Sequence, residues 1–269
     1  MSLINNKYKI IEKLGAGCFG EIYKGENIRT DEKVAIKVES IASNLKLLKN
    51  ESVIYQYLAG LQGIPNVKWF GKDAVNCYMV LNLLGDSLQT LINDKKVFSL
   101  KLVLQIGLQI IFILKSIHEK GLVHRDIKPD NFLLGNKNNN NQKQIYIIDF
   151  GFCKSIMNND VHIEIKKTTG IIGSLTYASL NAHNYTELSR RDDLESLVYI
   201  LIYFNQGFLE WQKIEDVKLI VQMKQHVVDN EKIPIVLRNF LKYVRHLGFK
   251  ETPDYNTLIN MMKREIEKL

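Results

Sequence analysis

A two-lobed α+β fold is what this sequence predicts. Up to about Leu83, short β-like runs surround one helical stretch. Stretches with helical spacing fill most of the remainder. The residues able to carry chemistry fall where the two patterns meet, the usual place for a cleft site in such an architecture.

Tyr8 to Leu14, Gly20 to Glu26 and Lys33 to Glu39 read as strands. Leu45 to Leu58 sets Leu48, Val53, Tyr55 and Leu58 at helical spacing. Gln144 to Ile148 reads as a further strand. Helical patterns then cover roughly Lys101–Lys120, Asp192–Phe204, Asp216–Val227 and Ile235–Leu247. The apolar run Leu102 to Leu114 invites a membrane reading. It is broken by Gln105 and Gln109, bounded by Lys101 and Lys115, and shorter than the roughly 20 apolar residues a span needs. It reads as a buried core helix. The Asn-rich run from Asn136 to Asn141 reads as a solvated hairpin turn. No internal repeat or Gly/Ser-rich linker divides the chain.

A hydrophobic content of 46% over 269 residues supports a sizeable core and excludes a disordered chain. The net charge of +7 favours acidic partners. No long Lys/Arg block accompanies it, so a basic soluble enzyme is the plainer reading and nucleic-acid binding is not indicated. Cys18, Cys77 and Cys153 have no framework spacing, which fits a reducing, intracellular location in cytoplasm or nucleus. The N-terminal residues lack an apolar signal core, Ser2 is not a myristoylation glycine, and the C-terminal residues hold no prenylatable Cys.

His124-Arg125-Asp126-Ile127-Lys128-Pro129-Asp130-Asn131 is the most informative stretch. It puts a carboxylate, an ammonium and a carboxamide in one loop. Phosphoryl transfer to a hydroxyl needs those groups together. Asp126 can accept the hydroxyl proton, Lys128 can neutralise charge on the migrating group, and Asn131 can hold Mg2+. Asp149-Phe150-Gly151 ends the Gln144 to Ile148 strand, where Asp149 can bind the same metal. Gly15-Ala16-Gly17-Cys18-Phe19-Gly20 follows a strand. Alone it fits a dinucleotide fingerprint or an ordinary turn equally well. Glu21-Ile22-Tyr23 continues as a strand rather than a helix, which favours a hairpin whose backbone N–H groups cover phosphates.

Together with Val34-Ala35-Ile36-Lys37, these motifs match the protein-kinase signature set, and the chain resembles a eukaryotic-type protein kinase. That resemblance implies a two-lobed protein kinase fold with a β-rich N-lobe (about 1–81), a hinge (82–85) and a helical C-lobe (about 86–269), the domain running over 8–265. It implies ATP and Mg2+ as cofactors, protein substrates, and a Lys37–Glu51 ion pair that holds Lys37 on the α- and β-phosphates. Finer motifs are similar to the casein kinase 1 family: Leu83-Leu84-Gly85, Tyr177-Ala178-Ser179, the run Ser189-Arg190-Arg191-Asp192-Asp193-Leu194-Glu195-Ser196 and Pro253-Asp254-Tyr255. Most kinases carry Ala-Pro-Glu where this chain has Ala178-Ser179-Leu180.

By that resemblance, Leu14, Gly15, Ala16, Gly17, Cys18, Phe19 and Gly20 form the phosphate hairpin. Ile22, Ala35, Leu133 and Ile148 enclose the base beside the gatekeeper Leu81. Backbone groups of Asn82 and Leu84 bind adenine, and Asp192 braces the catalytic-loop backbone. The family's Arg before Tyr-Ala-Ser, which helps bind an acidic or phosphorylated residue, is here Thr176. Lys154, Lys166 and Lys167 remain as cations that can replace part of that attraction. A constitutively active Ser/Thr kinase with a mild taste for acidic peptides, and a monomer, is the resulting expectation. A pseudokinase scaffold and a small-molecule kinase are the alternatives; the retained Lys37, Asp126, Asn131 and Asp149 argue against the first.

Overall fold

The computed structural model describes residues 3–17, 20–42, 47–136 and 141–269. They form two compact units, Met1–Asp86 with Leu133–Gly151, and Ser87–Phe132 with Phe152–Leu269. The stretch 133–151 thus belongs with the first unit, although a linear division assigns it to the helical lobe.

In the first unit, β1 (Tyr8–Gly17), β2 (Gly20–Asn27), β3 (Glu32–Ser40), β4 (Val67–Lys72) and β5 (Asn76–Asn82) form an antiparallel sheet in the order β1-β2-β3-β5-β4. The period-2 pattern of β3 sends Val34 and Ile36 to one face, where they pack with Tyr8, Tyr78 and Val80. Ala35 and Lys37 therefore face the other way. Helix α1 (Leu47–Tyr57) packs on β4 and β5. Glu39, at the end of β3, accepts from the N–H groups of Leu47 (2.9 Å) and Leu48 (3.2 Å). It thereby caps a helix that has no acidic residue of its own in the first turn.

β1 and β2 run further toward their turn than the sequence suggests, pairing as far as Gly17 with Gly20. Gly20 has φ +122°, and a Cβ there would lie 2.1 Å from the Val38 carbonyl oxygen. Gly15 is different: nothing lies within 4 Å of where its Cβ would be. The first glycine is needed by the fold, and the second keeps space open above the hairpin.

The second unit contains α2 (Leu88–Lys95), α3 (Leu100–Glu119), α4 (Leu180–His183), α5 (Arg190–Gln206), α6 (Val217–His226), α7 (Ile235–His246) and α8 (Tyr255–Lys268). Every residue of α5 from Asp192 to Phe204 is buried. It packs against α3 and α7, and α3 also packs against α8. By length and composition α3 is apolar enough to cross a membrane. Its stripe Val103, Leu104, Ile110, Ile111, Leu114 and Ile117 is instead buried in this unit, as the interrupted pattern predicts. α2 is short and buries only Leu88 and Ile92. α8 buries Tyr255, Leu258, Ile259 and Met262 at i, i+3, i+4, i+7 spacing, a helix signal that the sequence reading passed over. Their caps are Ser87 Oγ on Thr90 N–H and Asp254 on Thr257 N–H.

Gly20→Ala should lower the unfolding free energy by about 1–3 kcal/mol or more. Gly15→Ala should change it by less than about 0.5 kcal/mol. Urea titration of both variants checks the contrast.

Candidate active site

Lys37 is buried on β3, with Nζ 2.6 Å from Glu51 Oε2 and 2.9 Å from Asp149 Oδ1. Burial disfavours its charge, but the two carboxylates more than offset this and its pKa is raised. Glu51, 1% exposed, is itself pushed up by burial. Lys37 and Glu51 are buried and Asp149 is half-buried, and an ion cluster of this kind is a weak source of stability, which favours a functional reading. One turn after Glu51, the Tyr55 hydroxyl accepts from the Asp149 N–H (3.2 Å), and its ring meets Phe150 edge-on at 4.8 Å. Asp149 has φ +69°, a conformation that costs energy in a non-glycine residue and that these contacts maintain. Glu39 and Tyr55 escaped the sequence reading. The i, i+4 spacing of Glu51 and Tyr55 was the available signal for the second.

The residues assigned to the base all fall in this first unit. Ala35 pairs across the sheet with Leu81, and Ile22 with Lys37. Leu133 lies in β7 (Phe132–Leu134), which pairs with β8 (Ile145–Ile147), and Ile148 follows β8. The N–H of Gly85 donates to Leu134 O (2.8 Å), tying the chain after Leu84 to β7. The N–H of Asn82 is committed to Asn66 O (3.4 Å), and Asn82 Oδ1 accepts from Asn66 N–H (2.9 Å). Leu14, Gly15, Ala16, Gly17 and Gly20 belong to the β1–β2 hairpin. Cys18 and Phe19 lie outside the described residues.

The second unit holds the other cluster. Strand β6 (Leu122–Val123) pairs with β9 (Lys154–Ser155) and delivers the loop at His124. Asp126 is 2% exposed. Its Oδ1 accepts from Ser174 N–H (3.0 Å), and its Oδ2 accepts from Lys128 Nζ (2.6 Å). Asn131 Nδ2 donates to the Asp126 carbonyl (2.8 Å) and to Oδ2 (3.3 Å). With Nδ2 so committed, Asn131 Oδ1 is the atom that can ligate a metal. Gly173 allows this approach: at φ +86°, its Cβ would sit 2.5 Å from Arg125 O.

The loop brace is Asp193, not Asp192. Asp193 accepts from the N–H groups of His124 (2.7 Å) and Arg125 (2.8 Å), and His118 Nε2 lies 3.0 Å away. Burial raises its pKa, but the His118 bond leads the interactions that hold it below the ordinary carboxylate range. Asp192 sits at the third position of α5 and completes a capping box with Ser189. It also accepts from Ser179 Oγ (2.6 Å) and Asn181 Nδ2 (3.0 Å), and burial raises its pKa to about 6. A helix turns each residue about 100° from the last, so adjacent carboxylates serve different neighbours.

The expected anion-attracting lysines are already engaged. Glu187, 1% exposed, accepts from Lys154 Nζ (2.7 Å), with Arg125 Nη1 at 3.7 Å and Lys166 Nζ at 3.8 Å. Lys167 Nζ donates to Asn184 O (3.0 Å).

The family model for the protein kinase domain matches residues 8–262. The chain belongs to the protein kinase family, phosphotransferases that draw on ATP and act on protein substrates.

Asp193→Asn should raise amide hydrogen exchange at His124 and Arg125 by an order of magnitude or more, because an amide side chain offers one acceptor oxygen to two donors. Asp192→Asn should leave those two amides protected. Exchange read by mass spectrometry at peptide resolution across 122–128 separates the two.

Proposed function

We propose that this kinase transfers the γ-phosphoryl group of ATP to Ser or Thr hydroxyls of proteins, that it is similar to casein kinase 1, and that it needs no activating phosphorylation. The observation that carries the reading is the Asp126 carboxylate, buried and held at both oxygens by Ser174, Lys128 and Asn131. Asp126 takes the hydroxyl proton. Lys128 shields charge on the phosphoryl group, and its place two residues after Asp126 fits the Ser/Thr class. Lys37, held by Glu51 and Asp149, positions the α- and β-phosphates.

Asn131 Oδ1, in the second unit, and the Asp149 carboxylate, in the first, each suit Mg2+. Both are oxygen donors, the type that Mg2+ takes, and the ion would neutralise charge on the phosphates.

Each polar residue of the Ser189 to Asp193 run whose bonds are described has a separate task. Ser189 N–H donates to Asp192 Oδ2 (2.8 Å), Arg191 Nη1 donates to Leu247 O (2.7 Å), Asp192 holds Ser179, and Asp193 holds the loop. This supports the casein kinase 1 likeness, because Ser179 stands where other kinases carry Ala-Pro-Glu. Glu187 supports constitutive activity. Many kinases pair the catalytic-loop Arg with a phosphate added between Asp-Phe-Gly and Ala-Pro-Glu. Here a fixed carboxylate is already set against Arg125 and Lys154. With Thr176 in place of the family's Arg and Lys154 engaged, selection of primed substrates is weak.

Asp126→Asn should cut peptide phosphorylation by about 10²–10⁴-fold with Mg-ATP affinity retained, whereas Asp149→Asn should lose both. Labelled ATP, Mg2+ and a degenerate Ser/Thr peptide library read the first effect; nucleotide titration reads the second. Wild-type turnover by either variant would refute the assigned roles. Enzyme produced with a phosphatase should be fully active, and Glu187→Gln should lower that activity about tenfold, or 1.4 kcal/mol. An inactive phosphatase-treated product rescued only at Thr168 or Thr169 sinks the constitutive reading.

A further inference from the structure

Segment 174–178 is a closed turn, with Ser174 O accepting from the N–H groups of Tyr177 (3.0 Å) and Ala178 (2.8 Å). The turn is also gripped from outside. Trp211 Nε1 donates to Thr176 O (2.7 Å). Lys224 Nζ, from α6, donates to Leu175 O (2.9 Å) and Ala178 O (2.7 Å), and its remaining N–H meets His183 Nε2 (3.0 Å). The front edge of the same turn is the Ser174 N–H, which lies on Asp126 Oδ1 (3.0 Å).

Lys224 is 0% exposed. An ammonium is costly to bury, and an apolar side chain of similar volume would fill such a site without that cost. The surroundings are built for the charge. Its nitrogen sits 4.9 Å from the Tyr199 ring centroid and 5.5 Å from that of Trp211, within cation–π range. From α5, Glu195 accepts from Tyr199 OH (2.6 Å). From α7, Arg245 donates to Glu195 (3.1 Å), Tyr199 OH (2.9 Å) and Lys224 O (2.7 Å). Burial draws Lys224 down to about 7, with Glu195 opposing and Arg245 adding to the fall. Burial and Lys224 draw His183 to about 4, so it is neutral at pH 7 and can accept. The three donors of an ammonium match three acceptors; a neutral amine has one donor fewer.

We propose that Lys224 is a positioning residue for the phosphoryl acceptor side of the site: by fixing the Leu175 and Ala178 carbonyls it holds the 174–178 turn, and through Ser174 N–H it sets the orientation of the Asp126 carboxylate. This rests on the reading of Asp126 as the base. Oδ2 is held by Lys128 and Asn131 and Oδ1 by Ser174, so release of the turn frees Oδ1 and lets the carboxylate swing about its Oδ2 contacts. Small misplacements of a reacting group are costly in rate.

The test is a double-mutant cycle on the full chain. Lys224→Met should lower kcat/KM for a peptide about ten- to a hundredfold, through kcat, while Mg-ATP affinity stays within about twofold. In the Asp126→Asn background the same substitution should cost less than about twofold, because the oriented group is gone. A full extra loss in that background, or no loss in the wild-type background, overturns the proposal. Should Lys224→Met fail to fold, as judged by thermal melting, Trp211→Phe takes its place in the cycle. It removes the bond to Thr176 O and shrinks the ring beside Lys224 and Tyr199, so both grips on the turn weaken; a loss that vanishes with Asp126→Asn is expected, and an additive loss overturns the proposal. Asp126→Asn alone retaining wild-type turnover would instead defeat the base assignment, so the two failures are separable.

Discussion

Asp193 is the constraint on which the chemistry of the second unit depends. Its carboxylate is 2% exposed, and ionised carboxylates are not left in such places unpartnered. The partners it demands are the N–H groups of His124 and Arg125 and the ring of His118. Those N–H groups would otherwise be donors without acceptors, because Arg125 has φ +69° and leaves regular structure there. Loop and helix each satisfy what the other cannot. The loop is therefore fixed at its first two residues by α5, the most buried helix of its unit, and Asp126 is the next residue along. His118 in turn reaches Tyr255 OH at 2.6 Å, so α3, α5 and α8 share the arrangement.

The assigned residues divide cleanly by chemistry. Those meant for the nucleotide, including Leu133, Ile148 and Asp149, fall in the first unit, and those meant for the hydroxyl fall in the second. The chain makes this possible by an excursion. It leaves the second unit after Phe132, forms most of β7 and all of β8 within the first, and returns after Gly151. Asn131 and Asp149, the two residues suited to the metal, stand beside those two crossings. A linear sequence shows the two residues 18 positions apart but not that a detour separates them.

Strong patterns were legible in the sequence and single bonds were not. The strands of the hairpin and the helices α3, α5, α6 and α7 were readable because hydrophobic period carries them, and the Lys37–Glu51 pair because the kinase resemblance implies it. α2 was too short to show such a stripe, and the one in α8, Tyr255, Leu258, Ile259 and Met262, was legible but not read. Glu39 was unreadable because nothing near it in sequence shows that a strand residue caps the following helix. The exchange of Asp192 for Asp193 has the same root: motif order cannot say which of two adjacent carboxylates faces the loop, since that depends on where the helix begins. The capping box at Ser189 sets that phase, and it commits Asp192 to its own helix.

Net charge does not say which cations carry bonds. A surplus of +7 suggests a surface that attracts acidic peptides, and several cations of the second unit also hold internal partners. Lys154 and Arg125 face Glu187, Lys167 holds a carbonyl, and Lys224 is sealed among Tyr199, Trp211 and the 174–178 turn. A carboxylate offsets one charge set against it, whereas a backbone carbonyl leaves an ammonium's charge in place, so the exposed Lys166 and Lys167 still add to the surface field, which salt screens. Basic residues of the second unit also act on the protein itself. They hold the loop, the turn and the segment between them in one arrangement, which is the condition a loose transition state imposes on a catalyst that works by position and charge.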